Sequence, residues 1–310
     1  MMYDIELIRA RRTRDQSKPA GVADGAVAVV GGGLMGSGIA EVVARAGLEV
    51  HVVEPEEVGL ERTRRRIGAS IDRAVAAGKL DADHAGTLRS RVRFTTEIDD
   101  LPACRLAIEA VFEDIDVKRD VFRALDACLP EDALIASNTS SVPIAELARV
   151  TRRPGQVLGL HFFSPAPVMP LVEVVAALET TEETLAEANA FVLALGKTAI
   201  PARDRAGFIV NTLLVPYLLS AIRMYENGFA PAEAIDTGMR LGCGHPMGPL
   251  ALCDMIGLDV LYAICDSLYE EFRQPQYAAP PLLKRMVAAR RLGRKTGRGF
   301  YSYEGLQAAG

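Results

Sequence analysis

Short apolar runs alternate with longer amphipathic stretches from residue 26 to residue 201. The runs are rich in Val, Ile and Leu, which is typical of buried β-strands, whereas the stretches between them repeat their apolar positions with the helical period of about 3.6. The predicted strands are Ala26–Val30, Val50–Val53, Val92–Thr95, Leu106–Val111, Leu134–Ser137, Val157–Phe162, Leu171–Val175 and Thr198–Pro201. The predicted helices are Met35–Ala46, Glu57–Ala77, Asp81–Arg91, Lys118–Ala127, Ile144–Val150 and Glu182–Leu195. This alternation predicts an α/β fold with a Rossmann-type, doubly wound and mostly parallel sheet.

The pattern changes at residue 207, after which no strand alternation follows. The helices predicted there are Phe208–Tyr225, Pro231–Met239, Gly248–Arg273 and Pro281–Arg291. We therefore expect an N-terminal extension at residues 1–24, an α/β domain at residues 25–204 and an all-helical domain at residues 205–310. Ligands of doubly wound sheets bind beyond the carboxyl ends of the strands, so polar residues at those ends are the candidates for chemistry.

A glycine-rich turn connects the first predicted strand to the first helix. Gly31, Gly33 and Gly36 satisfy the spacing G-x-G-x-x-G. The first glycine makes the tight turn, the second lets a pyrophosphate approach the backbone, and the third lets the helix pack on the strand. The free N–H groups of the helix N-terminus, at Leu34 and Met35, then face the phosphates. The sequence predicts a dinucleotide site, the alternative being a turn that binds no nucleotide.

A carboxylate ends the second predicted strand and indicates which dinucleotide binds. Glu54 follows Gly31 by about 20 residues, where an acidic side chain accepts the ribose hydroxyls of NAD and repels the 2′-phosphate of NADP. The predicted cofactor is therefore NAD.

A histidine and a glutamate stand out at two further strands. His161 lies near the end of the strand Val157–Phe162, and by itself it could be a core histidine bonded to the backbone. Glu173 is the only charge in the apolar strand Leu171–Val175, where a buried carboxylate is costly without a partner. We expect the two to form a dyad in which the carboxylate fixes the imidazole tautomer and the imidazole takes up a proton. A purely structural ion pair is the alternative.

Two further segments, a loop after a strand and an apolar helix, contain polar residues that could contact the expected ligand. Asn138 and Ser140 lie in the loop after the strand Leu134–Ser137, although small polar residues in such loops often only cap helices. Asn211 is an isolated amide in an apolar helical stretch, so it either bonds a neighbouring helix or reaches a substrate between the domains.

Composition and charge limit the possible partners. The chain of 310 residues is 49% hydrophobic with a net charge of −5, which gives no general support for nucleic acid or an anionic membrane. No apolar run reaches transmembrane length, and no secretory signal is visible at the start. The five cysteines form no C-x-x-C pair, which favours a reducing cytoplasm. No spacing of His, Cys, Asp and Glu supports a metal site, and G-x-S-x-G and Walker A motifs are absent from the sequence.

Taken together, the motifs resemble the 3-hydroxyacyl-CoA dehydrogenase family. The resemblance extends over residues 27–303 and depends on V-V-G-G-G-L-M-G-S-G-I-A, S-N-T-S-S, G-L-H-F-F-S-P-A-P-V-M-P-L-V-E-V, G-F-I-V-N, H-P-M-G-P-L and G-R-K-T-G-R-G-F-Y. It implies hydride transfer between C3 of a (3S)-3-hydroxyacyl-CoA and NAD, with a preference for short chains such as 3-hydroxybutyryl-CoA. It also implies a homodimer formed by the C-terminal helices.

The resemblance implies roles for the candidate residues. His161 is expected to be the general base and Glu173 its orienting partner, while Ser140 and Asn211 hold the reacting oxygens. Around the nicotinamide half of NAD the expected residues are Glu113, Lys118 and Asn138.

Several positions depart from the family pattern. Ser164 replaces the usual Asn after H-F-F, and Pro170 replaces a common Lys before L-V-E-V. Ser70 matches a position that contacts CoA.

The Lys expected about seven residues after Ser70 is Ala77, for which Lys79 or Arg73 could substitute. A hydroxyacyl thioester on a carrier protein is therefore the alternative substrate.

Two alternative interpretations place the chain in other classes of protein. A dehydrogenase of the 6-phosphogluconate type would have a catalytic Lys four residues before Asn211, where this chain has Gly207. A non-catalytic NAD-binding or structural protein is the other alternative, although it would have no need of the dyad.

Overall fold

A computed structural model describes residues 25–101 and 104–303, so the predicted extension at residues 1–24 lies outside the described residues. Eight strands form one sheet. They are β1 (Ala26–Val30), β2 (Val50–Val53), β3 (Val92–Thr95), β4 (Cys104–Glu109), β5 (Leu134–Ser137), β6 (Val157–Phe162), β7 (Leu171–Ala176) and β8 (Thr198–Arg203). The helices that alternate with them are α1 (Leu34–Arg45), α2 (Glu57–Ala76), α3 (Ala82–Ser90), α4 (Ile115–Cys128), α5 (Ile144–Ala148) and α6 (Glu182–Ala194).

The strands lie in the order β3-β2-β1-β4-β5-β6-β7-β8. The first six follow the order of dinucleotide-binding sheets, in which the order of the strands reverses between β1 and β4. All neighbouring strands are parallel except β6 and β7, which are antiparallel. The predicted Rossmann-type, mostly parallel sheet is confirmed. Because β7 runs opposite to β6, the start of β7 lies at the same sheet edge as the end of β6.

Helices α7 (Val210–Glu226), α8 (Ala232–Cys243), α9 (Pro249–Ile256), α10 (Leu258–Phe272) and α11 (Pro281–Ala288) follow the sheet. The all-helical C-terminal part is therefore as predicted. The division of the chain between residues 204 and 205 stays a prediction.

Apolar side chains cover both faces of the sheet. One face packs residues such as Ile39 and Phe191 against the strands, and the other packs Phe122 and Ile144. The helical part has a separate core around Leu218 and other buried side chains. Helices on both faces leave the two ends of the strands as the open edges, and the carboxyl ends carry the candidate residues.

Among the boundaries that differ from the prediction, three have a clear local cause. The stretch predicted as one helix at Gly248–Arg273 breaks at Gly257, whose φ of 99° is incompatible with a helix. Helix α7 begins after residue 209 because Gly207 and Phe208 both have positive φ angles. Strand β4 ends at Glu109 rather than Val111, because the Val111 N–H donates to the Glu109 carboxylate instead of a strand.

Candidate active site

The predicted dyad is present at the edge shared by β6 and β7. His161 and Glu173 lie directly opposite each other in the antiparallel pair. The imidazole Nδ1 is 2.6 Å from Glu173 Oε2, and the two residues are only 7% and 0% exposed. A hydrogen bond to a carboxylate favours the tautomer with the proton on Nδ1. The second ring nitrogen, Nε2, is then an acceptor.

The other carboxylate oxygen of Glu173 binds the helical part of the chain. Glu173 Oε1 accepts the backbone N–H groups of Ile209 and Val210, each at 3.0 Å. These are orphan donors at the start of α7, so the carboxylate acts as an N-cap supplied from the sheet. Three hydrogen bonds therefore compensate the burial of this charge.

Two aromatic rings enclose the imidazole. Phe163 and Phe208 lie 4.6 Å and 5.4 Å from its ring centre. Phe208 reaches this place through a φ of 46°, which follows the φ of 77° at Gly207. The positive φ angles of Gly207 and Phe208 also orient the N–H groups of residues 209 and 210 toward Glu173. The junction between sheet and helices thus completes the surroundings of the dyad.

The glycine turn is built as its spacing predicted. Gly31 has a φ of 96°, and a Cβ on Gly36 would lie 1.8 Å from the Gly31 carbonyl oxygen. A Cβ on Gly33 would meet no atom within 4 Å. The turn and α1 therefore require small residues at two positions, while Gly33 opens onto free space at the helix N-terminus.

Glu54 directly follows β2 and lies beside this turn. Its Oε1 accepts the backbone N–H of Gly32 at 2.6 Å. The carboxylate is half-buried, so this bond orients it while leaving part of it accessible.

A single cleft of about 1700 Å³ connects the turn with the dyad. Most of the predicted site residues line it, namely Gly31, Gly33, Leu34, Met35, Glu54, Glu113, Lys118, Asn138, Ser140, His161 and Asn211. Gly36 and Glu173 lie behind its wall, where the first packs α1 and the second holds His161. Ser70 does not line the cleft but follows Arg66, which does, by one turn of α2.

A buried lysine binds two carboxylates on the cleft wall. Lys118 Nζ lies 2.7 Å from Glu109 Oε1 and 3.1 Å from Glu113 Oε2. Glu109 is fully buried and also accepts the Ser137 hydroxyl at 2.6 Å. Glu109 was not among the residues predicted for the site, although it is the only carboxylate in the apolar run L-A-I-E and stands out in the same way as Glu173.

Glu113 joins this network to the loop after β5. Its Oε1 accepts from the Thr139 and Ser141 hydroxyls and from the Ser140 N–H at 3.2 Å. Partial burial acts to raise the pKa of Glu113, but the Lys118 charge and these hydroxyls outweigh it and hold the pKa below its ordinary value. Glu113 is therefore a carboxylate at neutral pH.

Asn138 and Asn211 approach the cleft from opposite walls. Asn138 Oδ1 accepts the Phe162 N–H at 2.9 Å, which ties the loop after β5 to the end of β6. Asn211, in the first turn of α7, is half-buried and lines the cleft, so its amide faces the space between sheet and helices.

The loop between β6 and β7, which contains Ser164 and Pro170, is held by a second buried lysine. Lys197 Nζ donates to the carbonyl oxygens of Ala166 at 2.7 Å and Met169 at 2.6 Å. Burial lowers the pKa of Lys197. Lys197 was not predicted to have a role, because nothing in L-G-K-T shows that its ammonium group is buried.

The cleft fits a dinucleotide. The open space at Gly33 adjoins the N-terminus of α1, where unpaired N–H groups and the helix dipole favour a phosphate. Among residues 25–101 and 104–303, no group of three or more His, Cys, Asp or Glu residues could hold a metal ion. Within the same ranges, no helix has the length and apolar character needed to cross a bilayer.

Comparison with known proteins identifies relatives along nearly the whole described chain. The model of the NAD-binding domain of 3-hydroxyacyl-CoA dehydrogenase matches residues 26–205, and that of its C-terminal domain matches residues 207–303. A 3-hydroxybutyryl-CoA dehydrogenase of Mycobacterium tuberculosis is 53% identical over 279 residues, covering 89% of this chain and 98% of the relative. The human mitochondrial hydroxyacyl-coenzyme A dehydrogenase is 42% identical, covering 90% and 91% of the two chains.

Solved structures show the same similarity. The crystal structure of M. tuberculosis FadB2 superposes with a TM-score of 0.88 at 53% identity, covering 89% of this chain and 98% of that one. The (S)-3-hydroxybutyryl-CoA dehydrogenase PaaH1 from Ralstonia eutropha gives a TM-score of 0.85 at 42% identity, with 90% and 99% covered.

Proposed function

This chain belongs to the 3-hydroxyacyl-CoA dehydrogenase family, and on that premise we propose that His161 is the general base in its NAD-dependent oxidation of (3S)-3-hydroxyacyl-CoA to 3-ketoacyl-CoA. The observation that carries the proposal is the 2.6 Å contact between His161 and Glu173 beside the cleft that the glycine turn opens. The reverse reduction uses the same groups in the opposite protonation states.

The dyad explains how a proton leaves the substrate. With Nδ1–H bonded to Glu173, the His161 Nε2 accepts the proton of the 3-hydroxyl group. The carboxylate stabilises the resulting imidazolium, and the α7 N–H groups keep that carboxylate in place. Phe163 and Phe208 exclude water from the ring faces.

When bound in the cleft, NAD supplies the hydride acceptor. The N-terminus of α1 would bind its pyrophosphate and Glu54 its adenosine ribose. The network of Glu113 and Lys118, together with Asn138, would hold the nicotinamide half near His161.

Ser140 and Asn211 are proposed to hold the reacting oxygens. They line the cleft from the loop after β5 and from α7, so together they span the space between sheet and helices. Their hydroxyl and amide groups can donate to the oxygen on C3, on which negative charge develops when the ketone is reduced.

The proposed substrates are short-chain acyl-CoA thioesters. The M. tuberculosis and R. eutropha relatives are named for 3-hydroxybutyryl-CoA, which supports a short acyl chain here. The predicted contact of Ser70 with CoA is kept as part of this proposal, and a carrier-bound thioester remains the alternative. Comparing acetoacetyl-CoA, longer 3-ketoacyl-CoAs and carrier-bound 3-ketoacyl thioesters as substrates with NADH distinguishes them.

We also propose that the protein forms a homodimer and is located in the cytoplasm. Exposed apolar side chains on α7 and α8, such as Leu213 and Leu241, support a subunit contact. The five cysteines form no disulfide, which agrees with a reducing compartment.

Replacing His161 by Gln tests the central role. We expect kcat to fall at least about a hundredfold, as for loss of a general base, while the Kd for NADH stays within about twofold. His84→Gln is the control, because that imidazole is exposed on α3 and remote from the cleft lining. Turnover of H161Q at the rate of the control would disprove the assignment.

A further inference from the structure

Two arginines of α2 face the cleft beside the glycine turn. Arg62 and Arg66 are one helical turn apart, and both line the cleft together with Gly32 and Gly33. Other arginines of α2 point elsewhere. Arg64, for example, lies over the Phe94 ring, 4.4 Å from its centroid.

Arg66 donates to a carbonyl oxygen that two hydroxyl groups already satisfy. Its Nη1 donates to the Gly32 oxygen at 2.8 Å, and the same oxygen accepts the Ser37 hydroxyl at 2.7 Å and the Thr63 hydroxyl at 2.9 Å. A carbonyl oxygen has two lone pairs, which the two hydroxyls already fill. The contact therefore orients the guanidinium beside the turn, while most of its five N–H donors are available for another group.

The charge of this pair is not neutralised within the described part of the chain. No carboxylate there lies within ion-pair distance of Arg62 or Arg66, and Arg62 makes no hydrogen bond to the described residues either. Lys118 also lines the cleft, but Glu109 and Glu113 compensate its charge. The positive charge on α2 is added to that of the α1 N-terminus next to Gly33.

We propose that Arg66, with Arg62 beside it, is a binding residue for the diphosphate of an ADP group in the cleft. Guanidinium groups match phosphate oxygens with two parallel, charge-assisted hydrogen bonds. The inference rests on the proposed function, because NAD and CoA both contain an adenosine diphosphate. Arg73 and Lys79, suggested above as cations for CoA, do not line the cleft, whereas Arg62 and Arg66 do.

Binding without turnover tests the proposal. The Kd for NADH is measured by fluorescence and the Kd for CoA by calorimetry, for the wild type, Arg66→Met and Arg66→Lys. We expect Arg66→Met to raise the Kd for one of these ligands about tenfold, which is the lower range for loss of a hydrogen bond to a charged group. The difference in Kd should be smaller at high salt, because salt screens the charges. Arg66→Lys should recover part of the affinity, because it keeps the charge without the planar fork.

The control is Arg65→Met, which removes an exposed guanidinium from the neighbouring position of α2 without changing the cleft lining. Reduced nicotinamide mononucleotide, which has no diphosphate, should bind all variants equally. Weaker NADH binding supports the proposal and assigns Arg66 to the cofactor, whereas weaker CoA binding supports it and assigns Arg66 to the substrate. Unchanged Kd values for both ligands in R66M would overturn it. Lack of dehydrogenase turnover in the wild type would instead count against the proposed function alone.

Discussion

Glu173 uses its two oxygens for two different contacts. Oε2 holds the imidazole and Oε1 caps α7, so the same carboxylate orients the base and attaches the helical part. Glu173→Gln keeps the size but removes the charge, and an amide N–H toward His161 would favour the tautomer with its proton on Nε2. We expect kcat to fall at least about a hundredfold, as when the orienting acid of a triad is lost.

The weaker cap in E173Q should also lower the free energy of unfolding by about 1 to 2 kcal/mol in urea titrations. Glu179→Gln serves as the control, since this exposed carboxylate lies in the loop after β7. Measuring kcat at saturating NAD separates the effect from cofactor binding. A kcat within about fivefold of the wild type would contradict the orienting role.

Glu113 gives a prediction for the dependence of stability on pH. The Lys118 charge and neighbouring hydroxyls keep its pKa below the ordinary value of 4.5 despite partial burial. A carboxyl whose pKa is lowered by folding contributes stability above its unfolded pKa and loses that contribution as pH falls through its folded pKa. The free energy of unfolding of Glu113→Gln should therefore be lower than that of the wild type at neutral pH, and the gap should close in acid.

Urea titrations from pH 7 down to pH 3 would measure this gap, with the exposed Glu131→Gln as the matched control. A gap that stays constant over that range would show that the charge of Glu113 contributes nothing.

At the scale of single residues, the burial of a charged side chain could be predicted only where the bounds of its strand were predicted correctly. Glu173 interrupts a run whose ends were predicted within one residue, so its burial could be inferred. Glu109 was instead placed inside a strand predicted to continue to Val111, and its contacts with Lys118 and Ser137 join positions far apart in sequence. Arg66 could not be distinguished within R-T-R-R-R before the face of α2 was known.

Elements were predicted well where an apolar run met a glycine or a polar loop. Strands β2, β3, β5 and β6 have the bounds expected from the sequence. The direction of β7 was not predictable, because a buried apolar strand has the same pattern in parallel and antiparallel sheets. That direction nevertheless creates the dyad, since it places the start of β7 beside the end of β6.

Gly257 is the position at which local geometry overrides a continuous helical pattern. It lies between α9 and α10 with a φ of 99°, which a residue with a Cβ adopts only with strain. Gly257→Ala should lower the free energy of unfolding by about 1 to 3 kcal/mol in urea titrations. In contrast, Gly86→Ala inside α3, where a Cβ meets no atom within 4 Å, should raise it by up to about 1 kcal/mol. Equal stability of G257A and the wild type would mean that the helix break needs no glycine.

On the scale of the whole molecule, carboxylates connect the sheet to the helical part. Besides Glu173, Glu271 of α10 accepts the Ala206 N–H at 2.6 Å and pairs with Arg205. These contacts fix the junction from which Phe208 reaches the His161 ring and Asn211 reaches the cleft. The sequence showed that the pattern changes here, but not that the junction itself supplies a wall of the site, because both residues lie in an otherwise apolar stretch.

The proposed dimer can be tested on the exposed apolar face of α7. Leu213 is 72% exposed there, and a subunit contact would bury it. A Glu at this position would place an unpaired charge in the contact, at a cost of several kcal/mol, so the dimer dissociation constant should rise at least about a hundredfold. Sedimentation velocity should then give the mass of one chain, 33.3 kDa, for Leu213→Glu and about twice that for the wild type. Leu178→Glu is the control, because Leu178 is 94% exposed but lies between β7 and α6, away from the helical part, and should leave the dimer intact. A wild-type chain that sediments as a monomer, or an L213E variant that remains dimeric, would remove α7 from the subunit contact.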